Sequence, residues 1–316
     1  MNNSVKKYDI KIAVLLLNWN GIEFTVPCIE SLLRSSVKPN SIIVVDNASI
    51  DDSVNVLKSL FSDIQIIENK SNLGFAGGNN VGLQKILSDN YDYIWVLNND
   101  TIVDENCLND LIEAMEQDHN IAATTGKIIY EGTSDLIWYA GANINYRTLK
   151  SEHVGELQRD KGEFDVPIDV PFISGCCMFL RKSALEMVGV FDNNFFAYSE
   201  DFDWCLRAGD LGLRLRYIPQ ARVYHKVSAT FKKTMVGNSG GTSSPLAIYL
   251  TTRNRMYIIR KHAKTYPQFL IATSNYLLWI IYYGIALLLL FRLRKLKALL
   301  RGVVNGFMND ISHAKP

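Results

Sequence analysis

An α/β fold built on a doubly wound, mostly parallel sheet, with a C-terminal helical membrane-associating extension, follows from three observations. Short apolar runs alternate with stretches of helical periodicity through the first hundred residues, the pattern of strands buried on both faces and joined by crossover helices. Polar clusters close three of those runs, at Asn18-Trp19-Asn20-Gly21, Asp46-Asn47-Ala48-Ser49 and Asn98-Asn99-Asp100. Far downstream, Phe269 to Phe291 carries no charge and is followed by Arg292, Arg294, Lys295, Lys297 and Arg301.

The elements read as follows. Ile10 to Leu17 is a strand, and Glu23 to Leu33 a helix closed by Pro39. Ser41 to Val45 is the second strand, Asp51 to Phe61 its helix, and Ile64 to Glu68 a third short strand. Asn72 to Asn80 is a glycine-rich loop opening a helix through Leu87, and Tyr93 to Leu97 is the fourth strand. Cys107 to Gln117 is helical. Ile128 to Val154 reads as irregular strands and turns, and Asp160 to Asp169 as an exposed acidic loop. Phe172 to Leu180 is a strand, Ser183 to Val188 and Trp204 to Leu211 are helical, and Leu215 to Pro219 and Ala221 to His225 are short strands. Lys232 to Pro245, rich in Gly and Ser, is a loop, and Leu246 to His262 is a helix. The expected division is one domain over 1–245, in two halves at about 1–101 and 102–231, then a helical region over 246–316.

The 316 residues are 48% hydrophobic and 21% charged, with a net charge of +1, which suits a folded body and gives no nucleic-acid footprint. Cys28, Cys107, Cys176, Cys177 and Cys205 include no C-x-x-C pair, as expected for reduced, buried thiols. The polar stretch Met1 to Lys11 lacks an apolar signal core, so secretion is not expected.

The segment from Phe195 to Arg207 sets Glu200, Asp201, Asp203 and Arg207 among aromatics, where ionised groups are costly unless paired or used. An acidic pair at a helix N-terminus with Arg207 as partner explains one of those carboxylates but not three. Asp46 ends a strand where it can accept from a base N–H, or simply cap the next helix. Asn18, Asn20, Asn47, Asn72, Gly74, Gly77, Asn80 and Asn99 fall on neighbouring strand ends and suggest a nucleotide crevice, since ligands bind there in such sheets. Asp100 can offer a carboxylate to a divalent metal, and His225 can be its ligand or a structural histidine.

These motifs, together with Ile173-Ser174-Gly175-Cys176-Cys177, Gly189-Val190-Phe191-Asp192, Tyr198 to Asp203 and Tyr224-His225-Lys226, occur in an order and spacing that resembles the inverting family-2 glycosyltransferases of GT-A fold, especially the rhamnosyltransferase-like branch. The resemblance spans roughly Ile10 to Ala229. It implies that Asp46 reads a uracil or thymine ring in a pocket lined by Asn18 and Asn20. It further implies that Asp100 and His225 hold Mg²⁺ or Mn²⁺, and that Asp201, beside Glu200, deprotonates the acceptor hydroxyl. Asn98 stands where the family's D-x-D motif carries its first aspartate, which weakens the expected metal site.

The implied reaction moves a sugar, L-rhamnose from dTDP-rhamnose or alternatively a UDP-hexose or UDP-N-acetylhexosamine, onto a cell-surface or lipid-linked glycan. A nicotinamide oxidoreductase is the rival from another class, but Asn18-Trp19-Asn20-Gly21 replaces the G-x-G-x-x-G it requires. A non-catalytic sugar-nucleotide-binding protein is the third reading. Nucleotide sugars are cytosolic, so the body is expected on the cytoplasmic face. The apolar segment, basic on both flanks, is expected to lie in the interface as a helix pair rather than as a single span, or to serve as a contact in a homodimer.

Overall fold

The computed structural model describes residues 10–226 and 244–308. The stretch 232–243, expected as a loop, and nearly all of the polar N-terminus lie outside them. Four strands run parallel in the order β3-β2-β1-β4: β1 Ile12–Asn18, β2 Ser41–Asp46, β3 Gln65–Glu68 and β4 Tyr93–Asn98. Their crossovers are α1 Ile22–Arg34, α2 Ser53–Leu60 and α3 Gly74–Ser88. β1 and β4 are buried almost throughout because helices cover both faces of the sheet, which is why they read as unbroken apolar runs.

Beyond β4 the sheet becomes mixed. After β5 Thr101–Val103, α4 Cys107–Gln117 leads into β6 Ile121–Tyr130, a fully buried strand. β7 Ile137–Tyr139 pairs with β6, and β8 Ala142–Asn145 pairs with β9 Lys150–His153 as a separate hairpin. β10 Ile168–Asp169, β11 Cys177–Arg181, α5 Lys182–Val188, α6 Glu200–Asp210 and β12 Arg214–His225 complete the domain. β11 inserts antiparallel between β4 and β6, and β12 runs parallel to β6. All five cysteines are free and buried.

Several local expectations change. The stretch 160–169 is not a free acidic loop: Asp160 and Asp165 both grip Lys127, which is fully buried on β6, and Asp169 pairs with Arg214 and Arg216. A buried ammonium needs such partners, and the sequence spacing hides them. The strand expected from Phe172 begins only at Cys177. The two strands expected at 215–219 and 221–225 are one strand with a register shift between Ile218 and Arg222. α6 begins at Glu200, four residues before the expected Trp204, and its Arg207 pairs with Asp203 rather than with Glu200 or Asp201.

The C-terminal helices are α7 Pro245–His262, α8 Tyr266–Leu289 and α9 Leu293–Met308. α7 is built into the sheet domain. Its Arg253 donates to the carbonyls of Asn194 and Phe195, and Asn254 donates to those of Phe195, Ala197 and Tyr198. At its other end Lys261 and His262 reach Asp203 Oδ1 at 2.7 and 2.8 Å, while Arg207 Nε meets Oδ2 at 2.8 Å. α9 folds back along α7. A Cβ on Gly302 would lie 2.7 Å from the Tyr249 carbonyl, and one on Gly306 would lie 2.9 Å from Met256 Cβ, so only small residues allow this approach. The last turn of α9 is tied to α7 by Arg260, which donates to the Phe307 carbonyl. α8 and the start of α9 therefore form a hairpin whose chain returns to the body.

Asp203 has no solvent exposure. Burial works against its charge, but the hydrogen bonds from His262 and Lys261 and the positive charge of Arg207 outweigh that and hold its pKa below the usual carboxylate value. Removing one partner of a buried cluster costs about 3–5 kcal/mol, so Asp203→Ala is expected to lower the melting temperature sharply. With a depressed folded-state pKa, the stabilisation is complete above the unfolded value of about 4 and is lost as pH falls through the folded value. Acid unfolding followed by circular dichroism should show the wild type losing this increment below that pH, and the variant lacking it throughout.

Candidate active site

Strand register gathers the sequence motifs at one sheet edge. Asn18 pairs with Asp46 across β1 and β2, and Leu17 with Asn98 across β1 and β4. Asp46 is 3% exposed; its Oδ1 accepts from Asn18 Nδ2 at 2.9 Å and from the Ser49 hydroxyl at 2.6 Å, and its Oδ2 accepts from the Ser49 N–H at 2.9 Å. The loop-capping alternative describes these bonds, with Oδ2 the less occupied oxygen. Asn20 is exposed and its Oδ1 accepts from the Ile50 N–H, while Trp19 and Ile50 stand in solvent beside it. Asn99 donates to the Thr25 hydroxyl at 2.8 Å, and that hydroxyl donates in turn to Asn18 Oδ1.

The glycine-rich run is not an open cradle. It forms the first turns of α3, and its amide groups are occupied: Leu73 N–H donates to Asn47 Oδ1, Gly74 N–H to Asn72 Oδ1 and Ala76 N–H to the Phe196 carbonyl. Gly74 has φ +75°, and a Cβ there would meet the Phe196 carbonyl at 2.3 Å. Beside Gly77, a Cβ would meet Leu73 Cβ at 2.9 Å. Asn47 is buried, with both ends of its amide bonded within the protein. Asn80 donates to the Phe191 carbonyl and accepts from the Phe191 N–H, which ties α3 to the 190s segment. For Gly74, Gly77, Asn47 and Asn80 the geometry is that of structural ties. Sequence alone does not distinguish an amide that meets a ligand from one that meets a neighbouring loop.

On the opposite side, His225 Nε2 lies 3.1 Å from Asp100 Oδ1. His225 Nδ1 is buried and has no partner among the described residues. The His225 ring meets Trp138 edge-on at 4.9 Å, and Trp138 meets His153 at 4.8 Å. His153 turns Nδ1 toward the Trp138 carbonyl at 3.3 Å, and burial lowers its pKa. Asp201 follows: its Oδ2 accepts from the Gly175 N–H at 2.8 Å and its Oδ1 from the Phe202 N–H at 2.7 Å. The Cys176 carbonyl beside Gly175 accepts from the Asn98 N–H, so one short segment links the two carboxylate sites. Trp138, His153 and Gly175 complete the crevice. The two aromatic residues sit in a region where no motif singled them out, and only their ring spacing in the fold exposes them.

Burial raises the Asp201 pKa, against the pull of its two backbone N–H donors and His153. Glu200 is 5% exposed, its Oε2 has no partner among the described residues, and burial together with the Asp201 charge pushes its pKa well up. Burial thus works against charge on both carboxyls, and the backbone N–H donors favour the anion at Asp201.

Among the described residues no group of three or more His, Cys, Asp or Glu side chains converges as a cation site. Asp100 and His225 supply one oxygen and one nitrogen donor. That set suits a divalent cation whose other ligands come from a diphosphate and water.

A mostly parallel sheet carrying polar clusters at its strand ends, followed by a mixed half, is the architecture of the GT-A fold. The chain belongs to glycosyl transferase family 2, whose family model matches residues 14–189, more than half of it. Among curated proteins it is 26% identical over 233 residues to the poly-beta-1,6-N-acetyl-D-glucosamine synthase of Staphylococcus aureus (strain COL), covering 71% of this chain and 53% of that protein. It is 23% identical over 221 residues to the Staphylococcus epidermidis protein of the same name, covering 69% of this chain and 50% of that one. The chain thus spans about half the length of the curated relatives it matches. Among solved structures it superposes on GalNAc-T7 with UDP, GalNAc and Mn²⁺ (TM-score 0.58, 16% identity, 82% of this chain and 52% of that one). It also superposes on residues 1–349 of S. aureus TarS (TM-score 0.58, 12% identity, 97% and 83%). The chain thus carries a glycosyl transferase family 2 domain.

Proposed function

We propose that this enzyme transfers a sugar from a pyrimidine nucleoside diphosphate to an acceptor hydroxyl with inversion, in a single in-line displacement. The observation that carries the reading is the placement of Asp201 in the lining of an open cavity, with its two oxygens held by backbone N–H donors. Asp201 takes the proton of the acceptor hydroxyl as its oxygen attacks the anomeric carbon, and the bond from that carbon to the diphosphate oxygen breaks. Gly175 N–H and Phe202 N–H keep the carboxylate aimed through this step. Asp100 and His225 would hold a divalent cation, Mg²⁺ or Mn²⁺, which supplies charge neutralisation for the departing diphosphate. Asp46 and Asn18, with exposed Asn20 and Trp19, form the base side of the donor half, about 1–101. A UDP-N-acetylhexosamine donor is favoured by the names of the curated relatives, and dTDP-rhamnose remains the second reading on the motif order.

Asp201→Asn is expected to cut transfer by about a hundred- to ten-thousand-fold with nucleotide affinity nearly unchanged. In the wild type, turnover should fall as pH drops through the elevated Asp201 pKa, since only the ionised form accepts the proton. A panel of UDP- and dTDP-sugars, assayed with and without Mn²⁺, tests donor and cation together. Wild-type turnover in the Asn variant would overturn the base assignment. Equal turnover by Asp100→Ala without metal would remove the cation from the mechanism.

We further propose that the enzyme works on the cytoplasmic face of a membrane. α8 is long and apolar enough to cross one, with only 22% of its most apolar window buried. However, α9 returns to α7, which supports interfacial docking over a single span. Exposed Ile285, Leu288, Leu289, Phe291 and Leu293 form an apolar tip, and Arg292, Arg294, Lys297 and Arg301 are exposed next to it, the arrangement that binds anionic surfaces. Liposome flotation should show binding that rises with anionic lipid content and weakens in Arg294→Glu/Lys297→Glu. Equal recovery on neutral and anionic vesicles would contradict it.

A further inference from the structure

Asp201 opens into a cavity of about 630 Å³ between the catalytic body and the C-terminal helices. One wall is Asp201, His153 and Phe172; the other is Arg255 from α7 and Tyr276, Leu278, Trp279 and Tyr282 from α8. This composition is uneven. Ser151, Ser199, Thr251 and Asn275 can meet sugar hydroxyls, whereas Tyr276, Leu278, Trp279 and Tyr282 form an apolar side that belongs to the helix carrying the exposed apolar tip.

Arg255 is the unexpected charge here. Its guanidinium donates to the carbonyls of Thr148 and Leu149 in the β8–β9 turn. Those bonds orient it without neutralising it, and no carboxylate pairs with it among the described residues. Burial lowers its pKa to about 10, which still leaves it charged at neutral pH. Buried Lys127, by contrast, has Asp160 and Asp165 on it. A partly buried arginine without an anion, open to a cavity, is a place for an anionic group of a ligand, and its planar fork matches phosphate. Lys150, at the same mouth, adds a second positive charge shared with Glu152.

The apolar wall continues outward. Leu278, Tyr282, Ile285 and Leu289 recur at helical spacing, and all are exposed, at 67, 74, 54 and 72%. Together they make a stripe of about 16 Å at 1.5 Å rise per residue, running from the cavity mouth to the α8 tip. We infer that the acceptor is an anionic amphiphile, a sugar joined through phosphate to a lipid chain, with its hydroxyl at Asp201, its phosphate at Arg255 and its chain along the Leu278–Leu289 stripe. The assignment rests on the glycosyltransferase reading of Asp201 and specifies the class of molecule that this site glycosylates.

Three probes separate the parts: octyl phosphate, octyl glucoside and inorganic phosphate, each titrated by calorimetry into the full chain held in an uncharged maltoside detergent. Octyl phosphate should bind about tenfold or more tighter than either of the others. Arg255→Met should lose about tenfold for octyl phosphate and nothing for octyl glucoside. Trp279→Ala/Tyr282→Ala should weaken both alkyl probes and leave inorganic phosphate unchanged. Octyl phosphate no tighter than octyl glucoside would overturn the phosphate site, and no tighter than inorganic phosphate would overturn the lipid chain, leaving a soluble anionic acceptor. Equal octyl phosphate affinity in Arg255→Met would reduce Arg255 to a tie for the β8–β9 turn. Should that variant unfold, the wild-type probe ranking and the α8 variant decide alone. UDP and dTDP titrations of the same samples report on the donor reading separately: a wild type that binds octyl phosphate but neither nucleotide would refute the transferase role and not the amphiphile site.

Discussion

The grip of α7 on the segment before α6 is the constraint on which the rest of this structure depends. Phe196, Tyr198 and Ser199 all have positive φ, at 63, 70 and 72°, a conformation that costs side-chain-bearing residues of order 1–3 kcal/mol each. Nothing in that segment's own sequence favours it. It is held because Asn254 Nδ2 reaches the carbonyls of Phe195, Ala197 and Tyr198, at 3.1, 2.8 and 2.7 Å. The result is a left-handed turn at Ser199 that starts α6 abruptly and turns Asp201 toward Gly175 instead of into solvent.

That dependence joins the Asp201 segment to the helix that carries the exposed apolar tip. α7 holds the Asp201 segment on one side and receives α9 on the other, through the close approaches at Gly302 and Gly306. The hairpin of α8 and α9 is thus fixed relative to the carboxylate by packing, and the apolar stripe of α8 meets the cavity at a set place. An enzyme that must act on a group near a bilayer gains from such rigidity, because orientation of the two reactants lowers the barrier directly. Asp203 follows the same logic. It sits two residues from Asp201 with Lys261, Arg207 and His262 on it, and it anchors α6 to α7.

The donor half was legible because parallel strands buried on both faces leave continuous apolar runs, and Asn18, Asp46 and Asn98 mark their ends at a shared register. Glu200 and Asp201 were legible as carboxylates in an aromatic setting. What stayed hidden depends on contacts across long sequence distances. Lys127 and its two aspartates lie more than thirty residues apart, His153 reaches Asp201 only through the fold, and Arg255 faces a cavity that exists once α7 is docked. The glycine-rich run hid its packing for a related reason: Gly74 makes room for Phe196, a residue over a hundred positions away. Glycines report close approach without naming what approaches.

Replacing Asn254 by alanine tests the central claim most directly, with transfer rate, donor-nucleotide affinity and melting temperature measured on the same preparation. With the three carbonyls released, Asp201 is expected to shift by a fraction of an ångström to an ångström. Transfer should then fall by roughly ten- to a hundredfold, while the nucleotide binds as in the wild type and the protein remains folded. A folded Asn254→Ala enzyme that transfers at the wild-type rate would show that the segment holds Asp201 without α7, and would contradict the account.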